Sequence, residues 1–245
     1  MKALAYDLHL HSCLSPCGDD EMTPNSIAGM AMLGGLELCA LTDHNTSGNC
    51  PAFFEACERY GVIPVAGMEL TTAEDIHVVC LFPTLEAAMD FDAFVAEHRM
   101  PVKNRPEIFG RQLRVSSEDE VLGEEETLLI AATDLSLDEA ADLVFARGGA
   151  AYPAHIDRQA NGIIGVLGDF PAGTIFGAAE LHDYDAAEEY RKNYPALGGL
   201  HLVSCSDAHR LEDMREAGVR LNLFESCQSP DDVRRALIAY LRGEK

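Results

Sequence analysis

The chain has 245 residues, a length that favours one large domain or a barrel over two complete domains. Its formal net charge of −23 argues against wrapping a nucleic-acid duplex, because that requires a basic face. No apolar run reaches the ~18 residues of a membrane span, and no long apolar stretch follows Lys2, so we expect neither a membrane segment nor a signal peptide.

The first part of the chain alternates between predicted strands and helices. Apolar, β-prone segments predict buried strands at residues 3–11, 37–41, 62–66 and 76–82. Capping signals and helical spacing predict helices that begin at Pro24 and Pro51, each ended by a glycine, and a third helix at 84–98.

The region around residues 99–126 interrupts this alternation. Its prolines, Gly110 and a stretch of acidic residues predict an irregular insertion or lid. Beyond it, a capping box at Ser136 predicts a helix up to Arg147, and Ser229 caps a final helix. Strands are predicted at 127–132, 149–153, 178–181, 200–205 and 219–224.

Strands and helices alternate through most of the sequence, which favours a mainly parallel sheet. About seven βα units predict that residues 1–245 form a single α/β domain with a barrel. In such barrels the chemistry collects at the C-terminal ends of the strands, where most of the histidine and acidic clusters of this sequence fall. His77 is the exception, because it lies near the start of its predicted strand.

Six of the nine histidines lie in clusters close to strand ends, together with acidic residues. Residues two apart on a strand point the same way, so His9 and His11 can bind one cation together. Mixed imidazole and carboxylate ligands suit zinc, manganese or iron. The number of candidate ligands predicts two or three divalent ions, with Glu69 able to bridge two of them. The clusters are His9 and His11, Asp43 and His44, Glu69, His77, His155, and Asp207 and His209.

As a set, these residues resemble the PHP (polymerase and histidinol phosphatase) family. The matching motifs, in the family's order, are Asp-Leu-His-Leu-His-Ser at 7–12, Leu-Thr-Asp-His at 41–44, Gly-Met-Glu at 67–69, His77, Pro-Ala-His at 153–155 and Ser-Asp-Ala-His at 206–209. The resemblance implies a distorted seven-stranded (β/α)7 TIM-like barrel, a trinuclear metal centre and hydrolysis of phosphate esters.

The resemblance also implies individual roles. Asp43 would serve the catalytic centre by orienting a ligand. The implied metal ligands are His9, His11, His44, Glu69, His77, His155, Asp207 and His209. A further carboxylate of the family's first motif is displaced here, because Pro16 stands in its place. Asp19 is our choice for that ligand, with Cys17 and Asp20 as rivals; a thiolate would favour zinc.

We therefore expect a metal-dependent phosphoesterase that acts on a small anionic metabolite, such as a nucleotide, sugar phosphate or amino-alcohol phosphate, by attack of a metal-bound hydroxide. Arg158 and Arg210 are candidates to bind the phosphate, because guanidinium matches two oxygens at once. Glu180 and His182 end a predicted strand, where they could shape the pocket or protonate the leaving group.

Two alternatives remain open from the sequence. Barrels with a His-x-His first strand also support C–N amidohydrolase chemistry, and a metal-stabilised binding module without catalysis would use the same ligands. A basic cluster in the insertion, Lys103, Arg105, Arg111 and Arg114, could close over an anionic substrate or be a solvated loop. The eight cysteines mostly lie in apolar runs, as free thiols do, so we expect a reducing cytoplasm.

Overall fold

The computed structural model describes residues 3–223 and 225–244. Within them the chain forms an α/β fold. The strands are β1 (Leu4–Leu10), β2 (Leu38–Leu41), β3 (Ile63–Thr71), β4 (His77–Phe82), β5 (Leu113–Val115), β6 (Val121–Glu124), β7 (Ala150–Pro153), β8 (Ala178–Glu180), β9 (His201–Val203) and β10 (Arg220–Leu221). The helices are α1 (Pro24–Leu33), α2 (Cys50–Tyr60), α3 (Leu85–His98), α4 (Pro106–Phe109), α5 (Leu137–Ala146), α6 (Ile163–Leu167), α7 (Ala187–Asn193) and α8 (Pro230–Leu241).

The helix starts follow from local capping chemistry. Thr23 Oγ1 accepts a hydrogen bond from the backbone N–H of Ser26, and Thr84 caps α3 in the same way. The capping box at Ser136 opens α5, and a second box at Ser229 opens α8. These starts confirm the helices predicted from the sequence.

Six strands form one curled sheet in the order β10-β1-β2-β3-β4-β7, and β8 pairs with β9 in a separate two-stranded sheet. Backbone hydrogen bonds outside these ladders link the two sheets: Ile156 N–H donates to the Glu180 carbonyl, and His11 N–H donates to the Ala208 carbonyl. The expected α/β fold is therefore confirmed, but the expected continuous barrel of seven strands is not, because β8 and β9 lie outside the main ladder.

The sheet is also less parallel than predicted. Within the six-stranded sheet of the described residues, the β1–β2 and β2–β3 ladders are parallel, whereas β4 runs antiparallel to both β3 and β7. The separate β8–β9 pair is parallel. Thr71 at the end of β3 therefore faces His77 at the start of β4. This reversal brings His77 to the same rim as the C-terminal ends of the other strands, which removes the exception noted in the sequence.

The insertion is more ordered than predicted. Residues 99–126 contain the short helix α4 and the hairpin of β5 and β6, and Leu113 N–H donates to the Cys13 carbonyl. The strand predicted at 127–132 is wrong, since this segment makes only an isolated bridge between Thr127 and Lys103. The strand predicted at 219–224 is reduced to β10, and Phe224 lies outside the described residues.

Two apolar clusters support the rim. One packs the outer face of the sheet against α1, α2, α3 and α5, and the other fills the concave side and includes Val233 and Leu237 of α8. Burial of both clusters holds the strand ends in fixed positions. Among the described residues, none of the helices has the length and apolar character needed to cross a membrane.

Candidate metal centre

The first strand supplies two inward-facing imidazoles. The pairing of β1 with β2 shifts register between Asp7 and Leu10, an irregularity of the kind that re-aims side chains next to active sites. His9 and His11 are fully buried, and their Nε2 atoms lie 3.1 Å apart. The expectation that these two residues share one face is met.

Glu69 lies at the middle of the site. Its carboxylate oxygens are 2.8 Å from His77 Nδ1, 3.0 Å from His155 Nε2, 3.1 Å from His44 Nδ1, and 3.3 Å from the Nε2 atoms of His9 and His11. Burial alone would raise the pKa of Glu69, but the charges of His77, His9 and His44 overcome this and hold the pKa well below its usual value.

The last cluster comes from the loop after β9. Asp207 Oδ1 lies 3.1 Å from His11 Nε2, and Asp207 Oδ2 accepts a hydrogen bond from Arg158 at 2.5 Å. His209 follows with its ring 4.2 Å from that of His11, centroid to centroid. Asp207 and His155 both have positive φ, 53° and 27°, and such strained backbone persists where the surrounding structure holds it for a function.

These side chains form three overlapping groups able to hold a metal ion. The groups are His9, His11, Glu69 and Asp207; His44, Glu69 and His77; and His11, His44 and His209. Glu69 belongs to two of them, in line with its expected bridging position. His155 lies outside the three groups but contacts Glu69.

Two supporting residues fix which nitrogen of each imidazole faces the centre. His9 Nδ1 lies 3.1 Å from both carboxylate oxygens of the buried Glu180, so it donates its proton there. Ser15 Oγ donates to Asp43 Oδ1 at 2.7 Å, so it accepts from His11 Nδ1 at 3.0 Å. When neutral, both imidazoles therefore aim Nε2 lone pairs at each other across 3.1 Å, beside two carboxylates. A proton or a metal ion between the two nitrogens relieves this repulsion, and these donors are the ones that zinc, manganese and iron accept.

Ser15 was not singled out in the sequence. Besides its bonds to Asp43 and His11, it accepts from the backbone N–H of His44 at 3.2 Å. Asp43 also accepts from the backbone and hydroxyl of Ser12, at 2.7 and 2.6 Å. Asp43 thus faces the supporting hydroxyls and not the centre. The serine four residues after His11 was the available signal.

The carboxylates also set the protonation of the imidazoles. Burial alone would lower the pKa of His11, but hydrogen bonds and charges from Asp207 and Glu69 raise it to about 9. Burial likewise opposes the charged form of His9, yet Glu180 and Glu69 raise its pKa well above the usual value. Burial and the charge of His11 lower the pKa of His209 to about 4.

A small open cavity of about 200 Å³ gives access to the centre. Arg158 lines it, and this guanidinium also approaches His182 Nδ1 at 3.4 Å. Glu180 is fully buried behind His9, whereas His182 is exposed beside Arg158 and is not among the residues that line the cavity. Arg210 is exposed and is not among the residues that line the cavity. The structure therefore brings Arg158 into the site and leaves Arg210 outside.

The loop with the disputed ligand lies beside the third group. Asp19 is exposed, its carboxylate accepts from the Glu21 N–H at 2.9 Å, and it lies outside all three groups. Asp20 is also exposed, 4.0 Å from Arg111. Cys17 is exposed on one side, but partial burial and the charge of Glu69 raise the pKa of its thiol to about 12.

The chain matches one protein-family model and several solved structures. A family model of the PHP domain matches residues 7–159. Among solved structures, the lesion-specific endonuclease PfuEndoQ from Pyrococcus furiosus matches with TM-score 0.64 and 20% identity, over 99% of this chain and 56% of the other. An amidohydrolase from Chromobacterium violaceum with bound sulfate matches with TM-score 0.57 and 20% identity, over 94% and 96%. A protein assigned as a metal-dependent phosphoesterase from Bifidobacterium adolescentis matches with TM-score 0.58 and 19% identity, over 98% and 96%.

At this low identity the three structures show a shared fold. No curated protein sequence matches the chain at a significant level. The chain spans about half the length of the endonuclease Q structures. One of these, with TM-score 0.57 and 20% identity over 86% of this chain and 50% of the other, is a complex with a 27-mer duplex substrate carrying an abasic lesion. We expected no nucleic-acid duplex as a partner because the net charge is negative, and this expectation is wrong. The net charge of a whole chain does not determine the local charge around one binding site.

Proposed function

The chain belongs to the PHP domain family, and from this premise we propose that it is a metal-dependent hydrolase that cleaves phosphate esters with two or three divalent ions. The observation that supports the proposal most directly is the pair of Nε2 atoms of His9 and His11, 3.1 Å apart and flanked by Glu69 and Asp207. A divalent cation suits that set of donors in a buried site, because two imidazoles and two carboxylates supply both the lone pairs and the compensating charge.

The proposed ligands are the residues of the three groups together with His155. Ions bound there would lower the pKa of water and neutralise charge on the phosphate oxygens. Around them, Glu180 and Ser15 hold His9 and His11 in the required tautomers, and Asp43 holds Ser15. Glu180 is thus proposed as a positioning residue, since its carboxylate is fully buried and is not among the residues that line the cavity.

Arg158 is the proposed phosphate ligand of the protein. Its guanidinium lines the cavity and already contacts a carboxylate oxygen of Asp207, so a phosphate oxygen can replace or join that contact. His182 lies next to Arg158, just outside the cavity lining, and is the candidate to protonate a leaving group.

Two substrate classes fit this rim. The small cavity of about 200 Å³ suits the phosphate of a small phosphorylated metabolite. The fold is also that of endonuclease Q, which acts on a lesion-bearing duplex, so a phosphodiester in nucleic acid is the second candidate. Hydrolysis of a C–N bond is a further alternative, because the amidohydrolase from Chromobacterium violaceum has the same fold. A metal-stabilised binding module would hydrolyse neither phosphate esters nor amides.

The test is a hydrolysis screen on protein loaded separately with zinc, manganese and iron. The panel contains phosphate monoesters, a duplex with an abasic site, and amides. We expect phosphate release or strand cleavage, its loss in His11→Ala, and its retention in His98→Ala, because His98 pairs with Asp134 on the surface. Amide cleavage alone would replace the proposal with the amidohydrolase reading. Metal binding without any hydrolysis would leave the binding module.

A further inference from the structure

The first and last long-range elements of the site, β1 and β9, face each other across an open seam. β9 belongs to the separate two-stranded sheet, and among the described residues no ladder pairs it with β1. Near the C-terminal end of β1, one bridge joins Leu10 to Ala208, and the His11 N–H donates to the Ala208 carbonyl at 3.1 Å. The seam separates His9 and His11 from Asp207, although all three belong to one ligand group.

Asp7 crosses this seam with one carboxylate oxygen. Its Oδ1 accepts from the backbone N–H of Ser206 at 3.1 Å and, over a longer distance, from that of His9 at 3.4 Å. Two N–H groups cannot hydrogen-bond to each other, so both are satisfied only if an acceptor lies between them. Ser206 directly precedes Asp207 in the chain. The carboxylate therefore connects the backbone of one ligand to the backbone next to another.

Two further observations set Asp7 apart from the ligands. Its side chain is fully buried, it belongs to none of the three groups, and its Oδ2 makes no hydrogen bond to any described residue. Burial of a carboxylate is costly, so the two backbone contacts of Oδ1 are what this residue contributes in return. Asp207, with its φ of 53°, needs such contacts nearby to hold it, and its Oδ1 lies 3.4 Å from His9 Nε2.

We propose that Asp7 is a positioning residue, which sets the distance between the imidazoles of β1 and the carboxylate of Asp207. The proposal rests on the metal-binding function proposed above and concerns one group, that of His9, His11, Glu69 and Asp207. The group of His44, Glu69 and His77 comes from β3, β4 and the segment after β2, so its ligands do not lie across the seam. Asp7 should therefore affect the two groups unequally.

Metal titration tests the proposal without any activity assay. Asp7→Leu keeps the branching of the side chain but removes the acceptor. We expect one ion to bind ~10- to 100-fold less tightly in this variant, while a second ion keeps the affinity that it has in the wild type. Asp7→Asn retains an oxygen that can accept from both N–H groups, so it should recover most of the lost affinity. A merely structural role would weaken all ions together.

Manganese gives a spectroscopic readout of the same change. Two manganese(II) ions that share the Glu69 carboxylate are magnetically coupled, whereas a single ion is not. Electron paramagnetic resonance of manganese-loaded protein should show a coupled pair in the wild type and in Asp7→Asn. At the same manganese concentration, Asp7→Leu should show the spectrum of an isolated ion.

Glu37→Leu is the matched control, because Glu37 Oε2 also accepts a backbone N–H of β1, that of Ala5 at 3.2 Å, but at the end away from the ligands. Its metal affinities should equal those of the wild type. Wild-type affinities in Asp7→Leu, an equal loss for every ion, or no recovery in Asp7→Asn would overturn the positioning role and leave the metal-dependent function intact. If wild-type protein binds neither zinc nor manganese, both proposals fail. Circular dichroism shows whether each variant is folded, and Asp7→Ala replaces Asp7→Leu if the leucine prevents folding.

Discussion

The hydroxyl of Ser15 decides which nitrogen of His11 faces the centre. The hydroxyl has one hydrogen, which it donates to Asp43. Towards the imidazole of His11 it can therefore act only as a hydrogen-bond acceptor. A single hydroxyl thus joins the Thr-Asp-His motif to the His-x-His motif. The same logic makes Glu180 the partner that fixes His9.

Ser15→Ala should weaken metal binding by ~10- to 100-fold, because His11 can then rotate or change tautomer. It should also lower the free energy of unfolding by about 1–3 kcal/mol, since Asp43 and His11 lose a buried partner. The control is Ser117→Ala, because the hydroxyl of Ser117 in the insertion donates to Glu55 of α2, away from the proposed ligands. In that variant the free energy of unfolding should fall by about 1 kcal/mol, and the metal affinity should equal that of the wild type. Chelator competition and urea unfolding measure both quantities; unchanged affinity in Ser15→Ala would contradict the tautomer assignment.

Arg158→Ala should lower kcat/KM for the best phosphate ester by ~10- to 100-fold. We expect this modest range because the side chain of Arg158 is 41% exposed, which weakens a charge-assisted contact. Metal content should not fall, because the change frees Asp207 to bind a cation. Arg158→Lys should recover part of the rate.

Arg210→Ala is the matched control for Arg158, since Arg210 is exposed and not part of the cavity lining. Its kinetics should equal those of the wild type. Equal losses in both variants would show that general positive charge, and not a defined contact, attracts the substrate.

At the scale of elements, the reversal of β4 was available in the sequence. Only residues 72–76 separate β3 from β4, whereas a parallel crossover needs a dozen or more residues. An alternating apolar pattern locates a strand but does not show whether it runs parallel or antiparallel to its neighbour. The length of the connection between β3 and β4 was therefore the relevant signal. Helix starts were predicted well because a cap such as Ser136 and its partner Glu139 are three residues apart.

The insertion of residues 99–126 packs at Gly110 against the backbone of Pro16, in the loop that follows His11. This residue has φ of 97°, and an added Cβ would overlap the Pro16 carbonyl oxygen. Gly110→Ala should therefore lower the free energy of unfolding by about 2–4 kcal/mol, from backbone strain and the clash together.

Gly148→Ala separates the two causes. Gly148 also has positive φ, 73°, but no atom lies within 4 Å of an added Cβ, so only strain of about 1 kcal/mol is expected. Urea unfolding compares the two variants. An equal loss of unfolding free energy in the two variants would show that the Cβ added at Gly110 does not clash with Pro16.

At the scale of the whole molecule, metal uptake should be coupled to proton release. In metal-free protein the carboxylates raise the pKa of His11 to about 9 and that of His9 well above its usual value, so this pair of imidazoles holds an extra proton at pH 7. Imidazole must lose this proton to bind an ion. His209, with its pKa lowered to about 4, is already neutral and releases none.

Adding zinc to weakly buffered metal-free protein should therefore release at least one proton per chain at pH 7. The number should fall as the pH rises through 9, because His11 is then deprotonated before the metal arrives. An indicator dye measures the release at each pH. His11→Gln should release fewer protons at pH 7. A release that is the same at pH 7 and pH 10 would contradict the assigned protonation.

The sequence located the residues that come together in the three groups better than it located the residues around them. We could identify His9, Glu69 and Asp207 because each lies at or just after the end of an apolar segment, and the hydrophobic pattern of the sequence shows where such segments end. Arg158, Arg210 and Asp19 lie in loops, where orientation depends on contacts far away in the chain. The hydrogen bond of Glu180 to His9 joins residues 171 positions apart, which no local pattern reveals.

The donors around Glu69 come from both ends of the chain, from His9 to His209. On a ribosome that adds ~5–20 residues per second, the emerging polypeptide displays its first imidazoles for ~10–40 s before Asp207 is made. During that interval the group of His44, Glu69 and His77 is already synthesised, whereas the group that contains His9, His11 and Asp207 is not. If His9 and His11 bind an ion on the nascent chain, they bind it without Asp207, so the ion selectivity of that group is set only after synthesis.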